Sequence, residues 1–186
     1  MKLLWGMSAS FCNIRSVFAQ LDQCKDEIYI VCSDTLFQDS SKFYDNKAFI
    51  QQVSSYSVCD VMHTIHEVEA LTGSHFDAMV LAPCTANTLA KLVHGIYDNG
   101  LLMACKVALR NQIPIIIGYA SNDGLGIGME NIARAMVMKH LYFVPFSQDN
   151  YLLKENSLVC DWSLIDKTIA CALQHKQLQP VIRGNM

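Results

Sequence analysis

Charge of either sign and long apolar runs are scarce in this sequence. Only 17% of its 186 residues are charged, the 14 Lys and Arg are scattered, and the formal net charge is −3. A chain without a basic cluster is a poor ligand for nucleic acid, so we expect no nucleic-acid partner. No apolar run reaches membrane-spanning length, and the start of the chain turns polar after Gly6. We therefore expect a cytoplasmic protein without a membrane partner.

Sequence signs of disulfides and metal sites are also missing. The chain has eight cysteines but no CxxC pair, which indicates reduced thiols, most of them small core residues. Cys59, His63 and Glu67 recur at every fourth position, so on a helix they would share one face. Because no second cluster completes a zinc site, we expect no metal.

Apolar residues, in contrast, are abundant and make up 52% of the chain. Such a composition favours an apolar surface that is buried against partners, so we expect a homo-oligomer. No linker divides the sequence, and its length suits one domain over residues 1–186, with a closing helix and tail from about residue 161.

The chain is organised around the stretch from Asp77 to Gly95. It begins with an apolar run, residues 78–82, which does not alternate with polar residues and is therefore typical of a strand buried on both faces in a parallel sheet. Pro83 biases Ala82 away from the helical conformation, so we expect the strand to end at Ala82.

A polar turn and the start of a helix follow this strand. Thr85, Asn87 and Thr88 place short polar side chains and backbone N–H groups where the helix begins. Such a helix start suits an anion or the polar edge of a ring. Alternatively, these residues only cap the helix.

The remaining apolar patterns predict alternating strands and helices. Strands are expected at residues 2–5, 28–32, 61–65, 113–118 and 141–144, with a turn at 145–149 after the last. Further helices are expected at residues 14–21, 46–53, 101–110, 131–139 and 164–173. This order predicts an α/β fold with a doubly wound, Rossmann-like parallel sheet and helices on both faces, which binds ligands at the carboxyl ends of its strands.

Three more turns lie at the carboxyl edge that this fold predicts. The first, residues 6–10, contains one glycine and is not a dinucleotide fingerprint; its Ser8 and Ser10 either bind a phosphate or cap a helix. After the second strand, Ser33 or Thr35 would hold a ligand there. The glycine-rich loop 119–128 either only makes turns or closes over a ligand.

Several of these segments resemble known flavoproteins. Residues 83–88, followed by Lys91 and residues 95–99, resemble the Pro-Ala-Ser-Ala-Asn-Thr motif of flavin-containing cysteine decarboxylases, and residues 6–10 look like the serine-rich turn that holds the FMN phosphate in that family. A closer resemblance, to the family of dipicolinate synthase B subunits, lies in segments that span the second half of the chain, namely 106–114, 121–126, 142–149 and 176–181.

The resemblance implies an oxidoreductase component that acts in spore formation. The expected reaction oxidises a cyclic dihydrodipicolinate-type precursor to dipicolinate, together with the A subunit of dipicolinate synthase, which is expected to carry an NAD(P) site. Because desaturation of a ring needs a hydride acceptor that no ordinary side chain supplies, a cofactor must provide it. Carried over by position, the residues implied for an FMN site are Ser8, Ser10, Ser33, Thr85, Ala86 and Asn87.

The sequence also departs from the decarboxylases. Glu69 stands where an ungapped comparison expects their catalytic histidine, and residues 118–122 replace their Pro-x-Met-Asn segment. Cysteine decarboxylation is therefore not expected, and a flavin-dependent decarboxylase would need a general acid that the sequence does not identify. A second alternative, from another class, is a cofactor-free scaffold that stabilises the nicotinamide-dependent partner.

No catalytic residue is identified, but four side chains are candidates for contact with the substrate. Lys106 and Arg110 could pair with the two carboxylates of a dipicolinate-type ring, and Asn122 and Asp123 lie in the glycine-rich loop. For Lys106 and Arg110, the alternative is a solvated helix face.

Overall fold

The computed structural model describes residues 1–40, 45–71 and 73–184. Its strands are β1 (Lys2–Met7), β2 (Glu27–Cys32), β3 (Ala78–Cys84), β4 (Ile115–Ser121), β5 (Leu141–Phe143), β6 (Phe146–Gln148) and β7 (Leu158–Cys160). Its α-helices are α1 (Ile14–Leu21), α2 (Asp34–Gln38), α3 (Asn46–Ser54), α4 (Ile65–Glu69), α5 (Ala86–Val93), α6 (Gly100–Arg110), α7 (Gly128–Met136) and α8 (Ile165–Ala172). Short 3₁₀ helices at Phe11–Asn13 and Trp162–Leu164 precede α1 and α8.

All seven strands belong to one mostly parallel sheet. Its order is β2-β1-β3-β4-β7-β6, and β5 also pairs with β4. On the side of β4 that does not pair with β3, two strands are bound one after the other. Ile115–Ile117 pair with β5 in parallel, and Ala120 and Ser121 pair with β7 in antiparallel orientation. Helix α6 contacts β1 to β4, and α8 contacts β4 and β5. The predicted α/β Rossmann-like fold is confirmed.

The antiparallel end of the sheet corrects the prediction of a purely parallel one. We expected the last strand at residues 141–144 and a turn at 145–149, but β6 and β7 follow as a hairpin. Phe146, Leu158 and Cys160 are buried, but each of the two strands is only three residues long. Such short strands leave almost no pattern in a sequence.

The central strand is also longer than predicted. β3 does not end at Ala82 but continues through Pro83 to Cys84, and all seven of its residues are buried. The pairing of β3 with β4 shifts between Leu81 and Cys84, so Pro83 lies in an irregular part of the ladder, where its missing N–H is tolerated. Its carbonyl oxygen accepts a hydrogen bond from the backbone N of Ser8 at 3.0 Å.

Other predicted elements differ in extent. The expected strand at 61–65 is reduced to a single bridge between Val31 and Met62. Helix α7 begins and ends three residues earlier than the predicted 131–139, whereas α1 matches its prediction of 14–21. Part of the predicted tail is attached to the sheet, since the backbone N of Phe146 donates to Val181 O at 3.0 Å. The last two residues of that tail lie outside the described residues.

The core fills both faces of the sheet and includes half of the cysteines. Trp5 in β1 is 1% exposed and its indole Nε1 donates to the carbonyl oxygen of Ala82 at 2.8 Å, so its one polar atom is satisfied. All eight cysteines are free, and four of them are buried. Among the described residues, no helix is both long and apolar enough to cross a membrane.

Candidate functional site

The carboxyl ends of β1, β2, β3 and β4 meet at one edge of the sheet and surround two adjoining clefts. We call them cleft 1, of about 590 Å³, and cleft 2, of about 300 Å³. Cleft 1 is lined by residues 9–13, 85–87, 120–122, 149, 154 and 157–159. Cleft 2 is lined by residues 8–9, 33–35, 85, 87–88, 91 and 98–99. Such volumes are typical of small-molecule sites.

Ser8 connects the turns after β1 and β3. It is 1% exposed, and its hydroxyl donates to the carbonyl oxygen of Pro83 at 2.8 Å and accepts from the backbone N–H of Thr85 at 2.9 Å. The resemblance predicts that Ser8 binds the cofactor, but the only proton of its hydroxyl is donated to Pro83. Ser8 therefore positions the start of α5 next to the clefts.

Ser10 differs from Ser8, because its hydroxyl accepts from the side-chain Nδ2 of Asn13 at 2.8 Å and lies beside cleft 1. Its own proton is not used in a hydrogen bond among the described residues, so it is available to a ligand. Neither Ser8 nor Ser10 caps a helix through its side chain, so the capping alternative does not apply to this turn.

At the start of α5, one residue caps the helix while its neighbours border the clefts. The Thr85 hydroxyl accepts from the backbone N–H of Thr88 at 3.3 Å, so the capping interpretation is correct for Thr85. Ala86 borders cleft 1, and Asn87 borders both clefts. Within the described part of the chain, the exposed Asn87 side chain has no hydrogen-bond partner. The predicted residues Thr85, Ala86 and Asn87 are thus brought together at the site.

Ser33 borders cleft 2 and carries an unpaired polar atom. Its hydroxyl oxygen is buried and has no hydrogen-bond partner among the described residues, although Ser33 stands at the start of α2, where a serine usually caps the helix. A buried hydroxyl without a partner is unfavourable. This atom therefore fits a bound group that accepts a hydrogen bond, such as a phosphate oxygen.

The charged residues of cleft 2 are partly neutralised by neighbours. Lys91 Nζ lies 2.6 Å from Asp98 Oδ2, and this hydrogen bond is the main cause that lowers the pKa of Asp98. Asp34, which also borders the cleft, lies 3.4 Å from Nδ1 of His63. Lys91 and Asp98 therefore compensate each other, and Asp34 has a nearby histidine as partner.

The structure separates the four predicted substrate residues. Asn122 borders cleft 1, and Asp123 follows it in the chain but borders neither cleft. Lys106 and Arg110 are exposed on α6, and the helix runs away from the carboxyl edge after Gly100. At 1.5 Å per residue, Arg110 lies about 15 Å from that end. Neither of these two cations borders cleft 1 or cleft 2.

The wall of cleft 1 contains residues that the sequence did not indicate. Asp149, Lys154 and Ser157 belong to the hairpin of β6 and β7 and line this cleft. The only available sign was the apolar triplet 158–160 after a polar segment, which is too short to predict a strand that reaches the site.

Two glutamates near α4 are not part of the clefts: Glu67 has a structural role, and Glu69 lies elsewhere on the surface. The Glu67 carboxylate accepts from the backbone N–H groups of His63 and Thr64 at 2.9 and 2.8 Å, and it forms a capping box with Thr64 at the start of α4. Glu69, at the position of the decarboxylase histidine, is exposed and borders neither cleft.

Replacement of Ser8 by Ala should destabilise the protein by about 1–3 kcal/mol, because the backbone N–H of Thr85 loses its partner. The Pro83 carbonyl keeps its bond from the backbone N of Ser8. Urea unfolding monitored by circular dichroism measures the change. Ser10→Ala is the matched control and should cost less than about 1 kcal/mol, since Ser10 is only half-buried; equal losses in the two variants would contradict the role of Ser8.

The fold and this polar carboxyl edge define a flavoprotein-type α/β protein, and comparisons identify its family. A family model described as "Flavoprotein" matches residues 1–179. The B subunit of dipicolinate synthase from Bacillus subtilis (strain 168) is 31% identical over 185 residues, which cover 97% of this chain and 92% of that protein. The chain therefore belongs to the flavoprotein family and, within it, to the family of dipicolinate synthase B subunits.

Solved structures agree with this assignment. The crystal structure of the dipicolinate synthase B subunit from Bacillus halodurans C superposes with a TM-score of 0.89 at 30% identity and covers 100% of this chain and 97% of that chain. A dodecameric FMN-dependent UbiX-like decarboxylase from Escherichia coli O157:H7 has a TM-score of 0.61 at 19% identity, covering 78% of this chain and 80% of that chain. The second similarity shows a shared fold.

Proposed function

We propose that this chain is the flavin-binding component of a dipicolinate synthase. It works with the nicotinamide-dependent A subunit, called the nicotinamide partner below, to oxidise a dihydrodipicolinate-type precursor to dipicolinate during sporulation. The observation that carries this proposal is the pair of adjoining clefts with an unpaired, buried Ser33 hydroxyl, in a chain of the dipicolinate synthase B-subunit family. The description of proteins with the same fold as FMN-dependent supports the choice of cofactor.

The residues of the two clefts fit FMN. In cleft 2, the hydroxyls of Ser33 and Thr35 and the first N–H groups of α5 would hold the phosphate. In cleft 1, Ser10 and Asn87 would border the flavin ring. When bound, the flavin supplies a hydride acceptor. The reaction removes two electrons and two protons from the substrate ring, and the electrons pass finally to NAD(P)⁺ on the nicotinamide partner.

The binding partners in this proposal are the nicotinamide partner and further copies of the same chain. Large apolar side chains are exposed at Leu152 and Leu153, at Ile127 and Val137, which flank the two ends of α7, and at Ile182; these side chains are 68–84% exposed. Such side chains favour burial in an interface. The dodecameric assembly of a decarboxylase with this fold supports a homo-oligomer.

Flavin binding tests the proposal directly. The purified chain is titrated with FMN, and the absorbance is recorded from about 300 to 550 nm, where a bound flavin has its own bands. The Ser33→Ala and Asn87→Ala variants are expected to bind FMN about 10-fold more weakly, because each loses a hydrogen bond to the cofactor. Ser54→Ala, on an exposed position of α3, is the matched control and should bind like the wild type.

Activity decides between the flavin-binding role and the scaffold. With the nicotinamide partner and NADP⁺ or NAD⁺ present, dipicolinate formation should fall in Ser33→Ala and recover at higher FMN concentration. A chain that binds no FMN but still stimulates the nicotinamide partner would contradict the proposal and favour the cofactor-free scaffold. Release of CO₂ from a cysteine-containing peptide would favour the decarboxylase instead.

A further inference from the structure

The hairpin of β6 and β7 brings a pair of charges into the wall of cleft 1. Lys154 Nζ lies 3.2 Å from Asp149 Oδ2, and both residues border the cleft. Among the described residues that line cleft 1, Lys154 has the only positive charge and Asp149 the only negative charge. Any anionic substrate in this cleft therefore has one cationic side chain available.

The backbone that carries Lys154 is held in place. The N–H of Lys154 donates to Asn150 O at 2.7 Å, and the N–H of Ser157 donates to Lys154 O at 3.0 Å. The segment is also attached to the glycine-rich loop, since Leu125 N donates to Asn156 O at 3.0 Å. The backbone position of Lys154 is thus fixed, and its terminal ammonium can still change partner.

The ion pair is open to exchange. The Lys154 and Asp149 side chains are 53% and 44% exposed, and ion pairs in such positions contribute little to stability. An incoming carboxylate can take the place of Asp149 on the ammonium while Asp149 remains solvated. The exchange therefore leaves no buried charge without a partner.

The rest of the cleft suits the same ligand. Asn122 also lines it, and a side-chain amide can donate to a carboxylate oxygen without adding charge. We propose that Lys154 binds one carboxylate of a small cyclic dicarboxylate in cleft 1. This inference rests on the proposed function and assigns to Lys154 the role that the sequence suggested for Lys106 and Arg110.

Calorimetric titration of the purified full-length chain with dipicolinate (pyridine-2,6-dicarboxylate), with and without FMN, tests the inference. Lys154→Gln is expected to raise the Kd about 10-fold, because a charge-assisted hydrogen bond is lost. Asp149→Asn is expected to lower the Kd about threefold, because it removes the competing carboxylate. Lys167→Gln, an exposed site on α8 outside both clefts, should leave the Kd unchanged.

The opposite signs separate a binding role from a structural one. If the ion pair only stabilised the hairpin, both variants would change the Kd in the same direction, and that result would overturn the inference. An unchanged Kd in Lys154→Gln, or no dipicolinate binding by the wild type even with FMN and the nicotinamide partner, would overturn it as well. Opposite shifts in a chain that binds no FMN would support the inference while rejecting the flavin proposal.

Discussion

Replacement of Gly100 by Ala is expected to destabilise the protein by about 3 kcal/mol or more, the upper range for an overpacked site. A Cβ atom on Gly100 would overlap the carbonyl oxygen of His63 and lie 2.8 Å from Thr64 O. Both neighbours are backbone atoms, which cannot move aside as a flexible side chain does. The gain in helix propensity of about 1 kcal/mol from Gly to Ala does not offset this clash.

Urea unfolding measures this effect. With a slope of about 2 kcal/mol per molar urea, the midpoint should fall by about 1–2 M. Gly73→Ala is the matched control, because no atom lies within 4 Å of the added Cβ, and its stability should stay within about 0.5 kcal/mol of the wild type. Equal midpoints for Gly100→Ala and the wild type would show that the His63 loop does not pack against α6 as described.

Stability should decrease steeply above about pH 8.5, the ordinary pKa of an unfolded thiol. Burial raises the pKa of Cys105 to about 12, and it also raises the pKa values of Cys32, Cys84 and Cys160. The folded state keeps these protons while the unfolded state releases them, so each thiol contributes stability that is present below about pH 8.5 and is lost as the pH rises toward the folded pKa. The loss is about 2 kcal/mol per thiol between pH 8 and pH 10.

The four buried thiols together would remove about 8 kcal/mol over this interval, which is comparable with the whole stability of a typical domain. Urea unfolding at pH 7, 8, 9 and 9.5 under reducing conditions checks the prediction. Cys105→Ala should reduce the pH slope by about a quarter, whereas Cys59→Ala, at an exposed position, should not change it. A pH slope that is the same in the wild type and Cys105→Ala would contradict burial of this thiol in its protonated form.

The cleft-lining residues that the sequence analysis indicated are those with a local cause. Ser33, Thr85 and Asn87 follow strands directly, and a strand that is followed by a polar turn is visible within about ten residues of sequence. Ser10 was also found in this way. The sequence did not reveal that the Ser8 hydroxyl is hydrogen-bonded to Pro83 and Thr85, because these partners lie 75 and 77 positions away in the chain.

Lys154, in contrast, borders a cleft without any local sign in the sequence. It lies in a polar segment without a helical or strand pattern, and it reaches cleft 1 only because β7 pairs with the end of β4. Lys106 and Arg110, in contrast, belong to a well-predicted helix, but this helix runs away from the clefts. The chemical type of a side chain therefore does not by itself indicate whether that side chain borders a cleft.

The sequence by itself determined the α/β class and the order of the main strands along the chain, because apolar periodicity and turn residues act over short distances. Its resemblance to known flavoproteins indicated the family. Only the tertiary structure decided the antiparallel hairpin of β6 and β7, the extension of β3 through Pro83, and the groups that meet in each cleft. These features depend on pairing between segments that are far apart in the chain, and short strands and single polar contacts leave no periodic pattern from which such pairing can be predicted.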